Sequence, residues 1–127
     1  MIRYVTLGTN DLARARAFYD AVLATLGHLR LADAKAEVGY GPPGAAPVPF
    51  WIVTPFDGQP ASRGNGSMTA LAAASRAEVR AFHAAALSHG GTDEGTPGPR
   101  PYSPGFYAAF VRDPDGNKLS AVHVGEE

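Results

Sequence analysis

The sequence predicts an α+β fold of two tandem βαβββ modules, with curved sheets around a shared cleft and one helix per module packed on the outside. Three observations carry this. First, a shift of 64 positions lays Tyr4–Gly27 over Met68–Gly91 without a gap. Eight of those pairs are identical: Leu7/Leu71, Ala13/Ala77, Arg16/Arg80, Ala17/Ala81, Phe18/Phe82, Ala21/Ala85, Leu23/Leu87 and Gly27/Gly91. A fixed offset of about half the chain means one unit used twice. Second, each copy passes from strand-like alternation to helical apolar spacing and then to three β-prone stretches. Third, Asp113-Pro114-Asp115-Gly116 sits between two apolar alternating stretches and has hairpin chemistry, with Pro at the first central turn position.

The elements follow in order. Ile2–Gly8 alternates, with Val5 and Leu7 on one face and Tyr4 and Thr6 on the other. Asn10 is the expected N-cap, with Asp11 in the positive helix end. Ala15, Phe18, Val22 and Leu26 form the apolar stripe of the first helix, and Gly27 stops it. Strands are expected at His28–Asp33, Ala36–Tyr40 and Val48–Thr54. In the second copy Ser67–Ala73 repeats the first strand. Ser75-Arg76-Ala77-Glu78 reads as a capping box, Val79, Phe82 and Ala86 as the stripe, and Gly90-Gly91 as the stop. Thr92–Thr96, Phe106–Arg112 and Lys118–Val124 complete it. Gly41–Pro49 and Gly95–Gly105 are loops rich in Pro and Gly. The chain is thus one domain, with module one at about 1–56, a linker at about 57–66 and module two at about 67–127.

Composition narrows the function classes. At 127 residues the chain builds one ordinary hydrophobic core. A net charge of −1 argues against a nucleic-acid surface. The absence of cysteine removes disulfides, thiolate metal sites and a cysteine nucleophile. The N-terminus lacks the apolar stretch of a signal peptide, and no run approaches the ~18 residues of a membrane span. A cytoplasmic protein is expected. The preference for Arg over Lys, which occurs only at Lys35 and Lys118, together with abundant Ala, Gly and Pro, suggests a bacterial source.

Three passages carry a family resemblance: Val5-Thr6-Leu7 followed by Asn10-Asp11-Leu12 and Ala17-Phe18-Tyr19; Pro49-Phe50-Trp51-Ile52; and Tyr107–Asn117, a strand running into Asp-Pro-Asp-Gly-Asn. With the duplication, they resemble the vicinal oxygen chelate superfamily of glyoxalase I, bleomycin resistance proteins and extradiol dioxygenases. The resemblance implies a divalent metal in the cleft, held by His, Glu or Gln on the first and last strand of each module. Carried over position by position, those sites fall on Tyr4, Met68 and Ser120, and on the stretch Val48–Phe56, which holds no His, Asp, Glu or Gln. A phenol, a thioether and a hydroxyl supply no negative charge, so the expectation is no metal and no cofactor. The four histidines do not rebuild a site. His83 and His89 are expected on the surface of the second helix, His28 beside a helix end, and His123 on the face opposite Ser120.

Strand parity puts Tyr4, Thr6, Met68, Ala70, Ser120 and Val122 on the concave side, joined by Phe50 or Trp51 and by Phe106 or Tyr107. The expected ligand-binding set is Tyr4, Thr6, Trp51, Met68, Arg100, Tyr102, Tyr107 and Ser120, with Arg100 a candidate clamp for a carboxylate or phosphate. Three readings stand: a metal-free protein binding a small apolar or aromatic molecule, a metal-dependent lyase or isomerase of the glyoxalase type with an atypical site, and a non-binding relic whose cleft is filled. A small-molecule ligand and a homodimer are expected, and no nucleic acid or membrane partner.

Overall fold

Module one runs β1 (Val5–Gly8), α1 (Leu12–Ala24), β2 (Leu29–Asp33), β3 (Glu37–Gly41) and β4 (Phe50–Val53). Module two runs β5 (Thr69–Ala72), α2 (Arg76–Ser88), β6 (Thr92–Pro99), β7 (Phe106–Arg112) and β8 (Lys118–Val124). The computed structural model describes residues 1–126, so Glu127, read as the end of module two, lies outside the described residues. The 64-residue offset holds to the residue for β1 and β5 and for α1 and α2.

The sheets repeat one topology, β1-β4-β3-β2 and β5-β8-β7-β6. In each, the first strand lies parallel to the last and the other pairs are antiparallel. The registers match as well. Thr6 lies beside Trp51 and Trp51 beside Gly39, while Ala70 lies beside Ser120 and Ser120 beside Phe110.

Each helix buries its stripe on one face of its own sheet. Phe18, Tyr19, Val22 and Leu23 of α1 join Val38, Tyr40, Phe50 and Ile52 in the core. Val79, Phe82 and Ala86 of α2 join Ala109, Val111, Leu119 and Ala121. The helices also touch each other, so the two cores are one cluster. Phe18 and Phe82 are both fully buried in it. Burial of one such side chain contributes about 1.5–3 kcal/mol.

A buried polar clasp ties the modules together at the Asp-Pro-Asp-Gly-Asn hairpin. Asp113 accepts from the backbone N–H of Asp115 and Asn117, which holds the turn closed. It also accepts from Tyr19 Oη at 2.5 Å and from Asn117 Nδ2, both buried. Asn117 Nδ2 reaches on to the carbonyl of Gly8 at the end of β1. Asp115 accepts from Thr9 Oγ1, Asn10 N and Arg14 at the start of α1, where a negative charge suits the helix dipole. Burial, and then the Asp113 carboxylate, push the Tyr19 phenol well above its ordinary range.

Several local expectations are corrected. Asp11, not Asn10, caps α1, because its extended backbone lets its carboxylate accept from Arg14 N at 3.0 Å. Asn10 instead bonds both backbone groups of Ala61 in the linker. Ser75 caps α2 as expected, but Glu78 accepts from Ala74 N, one residue outside a capping box. Strand β4 is two residues shorter at its start, and β6 extends to Pro99 because register shifts around Gly95 absorb its irregular backbone. His83 is buried at 8% exposure rather than on the surface, and bonds Asp93 at 2.8 Å. That bond holds the Asp93 carboxyl below its ordinary range.

Candidate functional site

The face of each sheet away from its helix remains open for side chains. In module one that face is a groove of about 990 Å³, lined on its strands by Tyr4, Thr6 and Gly8, by Glu37, and by Trp51 and Val53. Pro47, Val48 and Phe56 close its rim. The parity that buries Val38 and Ile52 against α1 puts these residues here. Trp51 forms the floor. Its Nε1–H donates to the carbonyl of Val48 at 3.0 Å. Its ring lies against Gly39, where a Cβ would stand 2.9 Å from the indole and 2.8 Å from Val48 Cγ1. Only glycine lets the indole lie this close to β3.

The open face of module two is chemically different. At the position matching Gly39 it carries Phe110, and at the position matching Trp51 it carries Ser120. Arg100 lies over the Phe110 ring at 5.4 Å and Lys118 at 5.6 Å. Ser120 is wholly buried, and its Oγ has no hydrogen-bond partner among the described residues. A shallower depression of about 610 Å³ wraps β5, lined by Ala70–Ala74, Phe106, Val122, His123 and Val124. Within one chain the two open faces are thus lined by separate residues.

The expected site residues separate accordingly. Tyr4, 57% exposed, Thr6 and Trp51 meet in the groove of module one. Met68 is 44% exposed ahead of β5 and is not among the residues lining either depression. Ser120 is sealed beneath its neighbours. Arg100 is folded back on the end of β6, donating to the carbonyls of Thr96 and Pro99, so its fork is already used. Tyr102 is exposed and meets Phe106 edge-on at 5.2 Å. Tyr107 belongs to the other face: it is buried toward α2, with Arg76 at 4.9 Å and Arg80 at 6.0 Å from its ring. Of the paired alternatives, Trp51 lines a groove while Phe50 is core, and Phe106 lines a depression while Tyr107 does not.

Glu37 and Gly39 were absent from the expected set. Their signal was present, since Val38 and Tyr40 are obvious core residues and strand alternation sends 37 and 39 to the other face.

The donor chemistry does not fit a divalent ion. Among the described residues no three His, Asp or Glu side chains come together. Along the groove of module one Glu37 is the sole carboxylate, and no imidazole joins it. Around β5 the sole such donor is His123, which pairs with the Ala73 carbonyl at 3.1 Å. Such sites need several imidazole or carboxylate donors converging.

Comparison with known proteins agrees with this architecture. Residues 1–120 match the family described as Glyoxalase/Bleomycin resistance protein/Dioxygenase superfamily. A glyoxalase/bleomycin resistance protein from Albidiferax ferrireducens is 44% identical, with a TM-score of 0.84 over 95% of this chain and 96% of that one. A lactoylglutathione lyase from Agrobacterium tumefaciens (20% identity, TM-score 0.63, 97% and 92% covered) shares the fold. So does an antibiotic-binding protein from Streptomyces (22% identity, TM-score 0.64, 98% and 96% covered). No curated protein sequence matches the chain.

Proposed function

The chain belongs to the glyoxalase/bleomycin resistance protein/dioxygenase superfamily, and we propose that within it this protein works as a metal-free binder of a small apolar or aromatic molecule, held over the open face of module one. The observation that carries the reading is the donor set of that groove. An indole, a phenol, a threonine hydroxyl and an aliphatic wall surround about 990 Å³, which suits an organic ligand and offers a metal ion one carboxylate. A ligand ring stacks on Trp51, whose plane is held by Gly39 beneath and by its bond to Val48. Tyr4 and Thr6 each offer a hydroxyl that donates or accepts. The antibiotic-binding neighbour is a precedent for binding on this fold, and the identity of 22% carries it no further.

The working form in this reading is a cytoplasmic homodimer. The outer edges of β1 and β5 have no partner strand among the described residues. Met1, Ile2, Tyr4 and Met68 are exposed at the starts of those same strands. An isologous contact covers both edges and this apolar surface at once. No helix among the described residues is long and apolar enough to cross a membrane.

The test is elemental analysis of the purified protein together with thermal melting against a panel of small aromatic molecules. A ligand-dependent rise in Tm without stoichiometric metal is the expected result. Stoichiometric metal lost in Tyr4→Phe, or a panel that leaves Tm unmoved, overturns the reading.

A further inference from the structure

We infer that the ligand of module one carries a positive charge, as an ammonium or amidinium group on a compact aromatic body. The inference rests on the proposed binding role of this groove and deepens it by naming the ligand class. It starts from Glu37, which lines the groove beside the strand that carries Trp51.

Almost every other carboxylate of the described chain is already engaged. Asp20 bonds Arg30 and Tyr40, and Asp33 bonds Arg16 and Arg30. Asp11 caps α1, Asp57 accepts from Gln59 N, and Glu78 accepts from Ala74 N. Asp93 pairs with His83 and Glu94 with Arg112. Asp113 and Asp115 form the clasp. The Glu37 carboxylate makes no hydrogen bond or ion pair with the described residues, a condition it shares only with the carboxylate of Glu126 near the C-terminus. Of these two, only Glu37 stands in a groove.

The surroundings of Glu37 select the sign of the ligand. No Lys, Arg or His is among the residues lining the groove. Three aromatic side chains are: Tyr4, Trp51 and Phe56. Aromatic faces attract cations through the ring quadrupole, Trp most strongly. A carboxylate and an indole on one floor therefore act together on a cation, and neither favours an anion. An amidinium also matches the carboxylate fork with two parallel hydrogen bonds. The open face of module two has the opposite character, with Arg100 and Lys118 on Phe110 and Ala108 at the position matching Glu37.

Three planar probes of nearly one shape separate the possibilities: benzamidine, a cation; benzamide, neutral; and benzoate, an anion. Trp51 is the single tryptophan of the chain, so intrinsic fluorescence reports on this groove directly. The expected result is a Trp51 response to benzamidine at about tenfold lower concentration than to benzamide, with benzoate weakest. Raising the salt concentration should narrow that gap. Glu37→Gln, an exposed substitution with an unchanged Tm, should bring benzamidine to the level of benzamide and leave benzamide where it was. Benzamide or benzoate binding as well as benzamidine overturns the charge preference and leaves the binding role standing. A Glu37→Gln variant that weakens all three probes equally also overturns it. No response to any of the three, even at the highest concentration tested, removes both the preference and the binding role.

Discussion

The open faces of the two modules have one backbone and opposite fillings. In module one the bulky residue stands on β4, as Trp51, and β3 makes room with Gly39. In module two the bulky residue stands on β7, as Phe110, and β8 makes room with Ser120. The first arrangement packs a ring against Gly39 of β3 and leaves a groove of about 990 Å³ beside it. The second seals Ser120 and Ala108 completely and is capped by Arg100 and Lys118. Duplication preserved register and core while the open faces diverged: one is a groove, and the floor of the other is an extension of the core. Filling of the open face, one of the three readings open at the sequence level, thus describes module two and not module one.

The modules also differ in how one helical position is used. Tyr19 and His83 are equivalent by the 64-residue offset, and each hydrogen-bonds an aspartate. The partner of Tyr19 comes from the other module and is buried; the partner of His83 comes from its own sheet and is solvent-exposed. Breaking the two bonds tests this contrast most strongly. Asp113→Ala leaves the Tyr19 hydroxyl, two backbone N–H groups and Asn117 Nδ2 without their acceptor, and is expected to cost roughly 4 kcal/mol. Asp93→Ala should cost far less, because water replaces the carboxylate. Urea denaturation of both variants decides it, and equal losses would mean that the hairpin is not the clasp between the modules.

Exchanging the floors is the next largest test. Gly39→Ala alone forces a Cβ into the indole and Val48, at an expected cost of about 1–2 kcal/mol. The double variant Gly39→Phe with Trp51→Ser copies the module-two floor into module one. It is expected to fold better than Gly39→Ala and to lose ligand response, read by thermal shift because the tryptophan is gone. A double variant that still binds would assign recognition to Tyr4 and the rim rather than to the floor.

The fold was legible because it rests on repeated local signals. The Phe18 and Phe82 stripes, the Val5 and Leu7 parity and the Asp113–Gly116 turn are each patterns written within a few residues of chain. The site was legible only in part. Parity put Tyr4 and Thr6 on the face that the groove occupies, since alternation needs no partner strand, and left Phe50 and Trp51 as alternatives. It did not reveal that Phe110 would cover Ser120, because that depends on which residue of β7 stands beside it. Tyr107 was assigned to the wrong face for a related reason. An apolar strand such as Phe106–Arg112 has no polar side to mark its outside. Arg100 read as a candidate clamp because its carbonyl partners, Thr96 and Pro99, lie on the irregular end of β6, which composition marks as loop.

Ser120 sharpens the comparison at smaller scale. If the module-two floor is core, its hydroxyl is a buried polar group with nothing to bond. Ser120→Ala should then stabilise the protein by about 1 kcal/mol and leave ligand response unchanged. A loss of binding in Ser120→Ala would return this position to the site.

The smallest effect belongs to the seam between the modules. His28 lies beside an apolar crevice of about 140 Å³, lined by Val5 and Phe50 from module one and by Thr69 and Leu71 from module two. Its Nδ1 is buried and has no partner among the described residues. Burial lowers its pKa from the ordinary 6.5, and the Glu78 carboxylate opposes that only in part. The folded state therefore binds the proton less readily than the unfolded chain. Above pH 6.5 both states are neutral here and stability is unaffected by this group. As pH falls below 6.5 the unfolded chain takes up the proton first, and stability declines until the folded-state pKa is passed. Solvent reaches part of the ring, so the decline should stay below about 1 kcal/mol. The chain holds three other histidines and many carboxylates, so the readable quantity is a difference. Denaturation midpoints of wild type and His28→Gln, followed from about pH 7.5 to pH 5, should diverge below 6.5, with wild type falling faster. Parallel curves would mean that His28 titrates alike in both states and that the seam at this point is open to water.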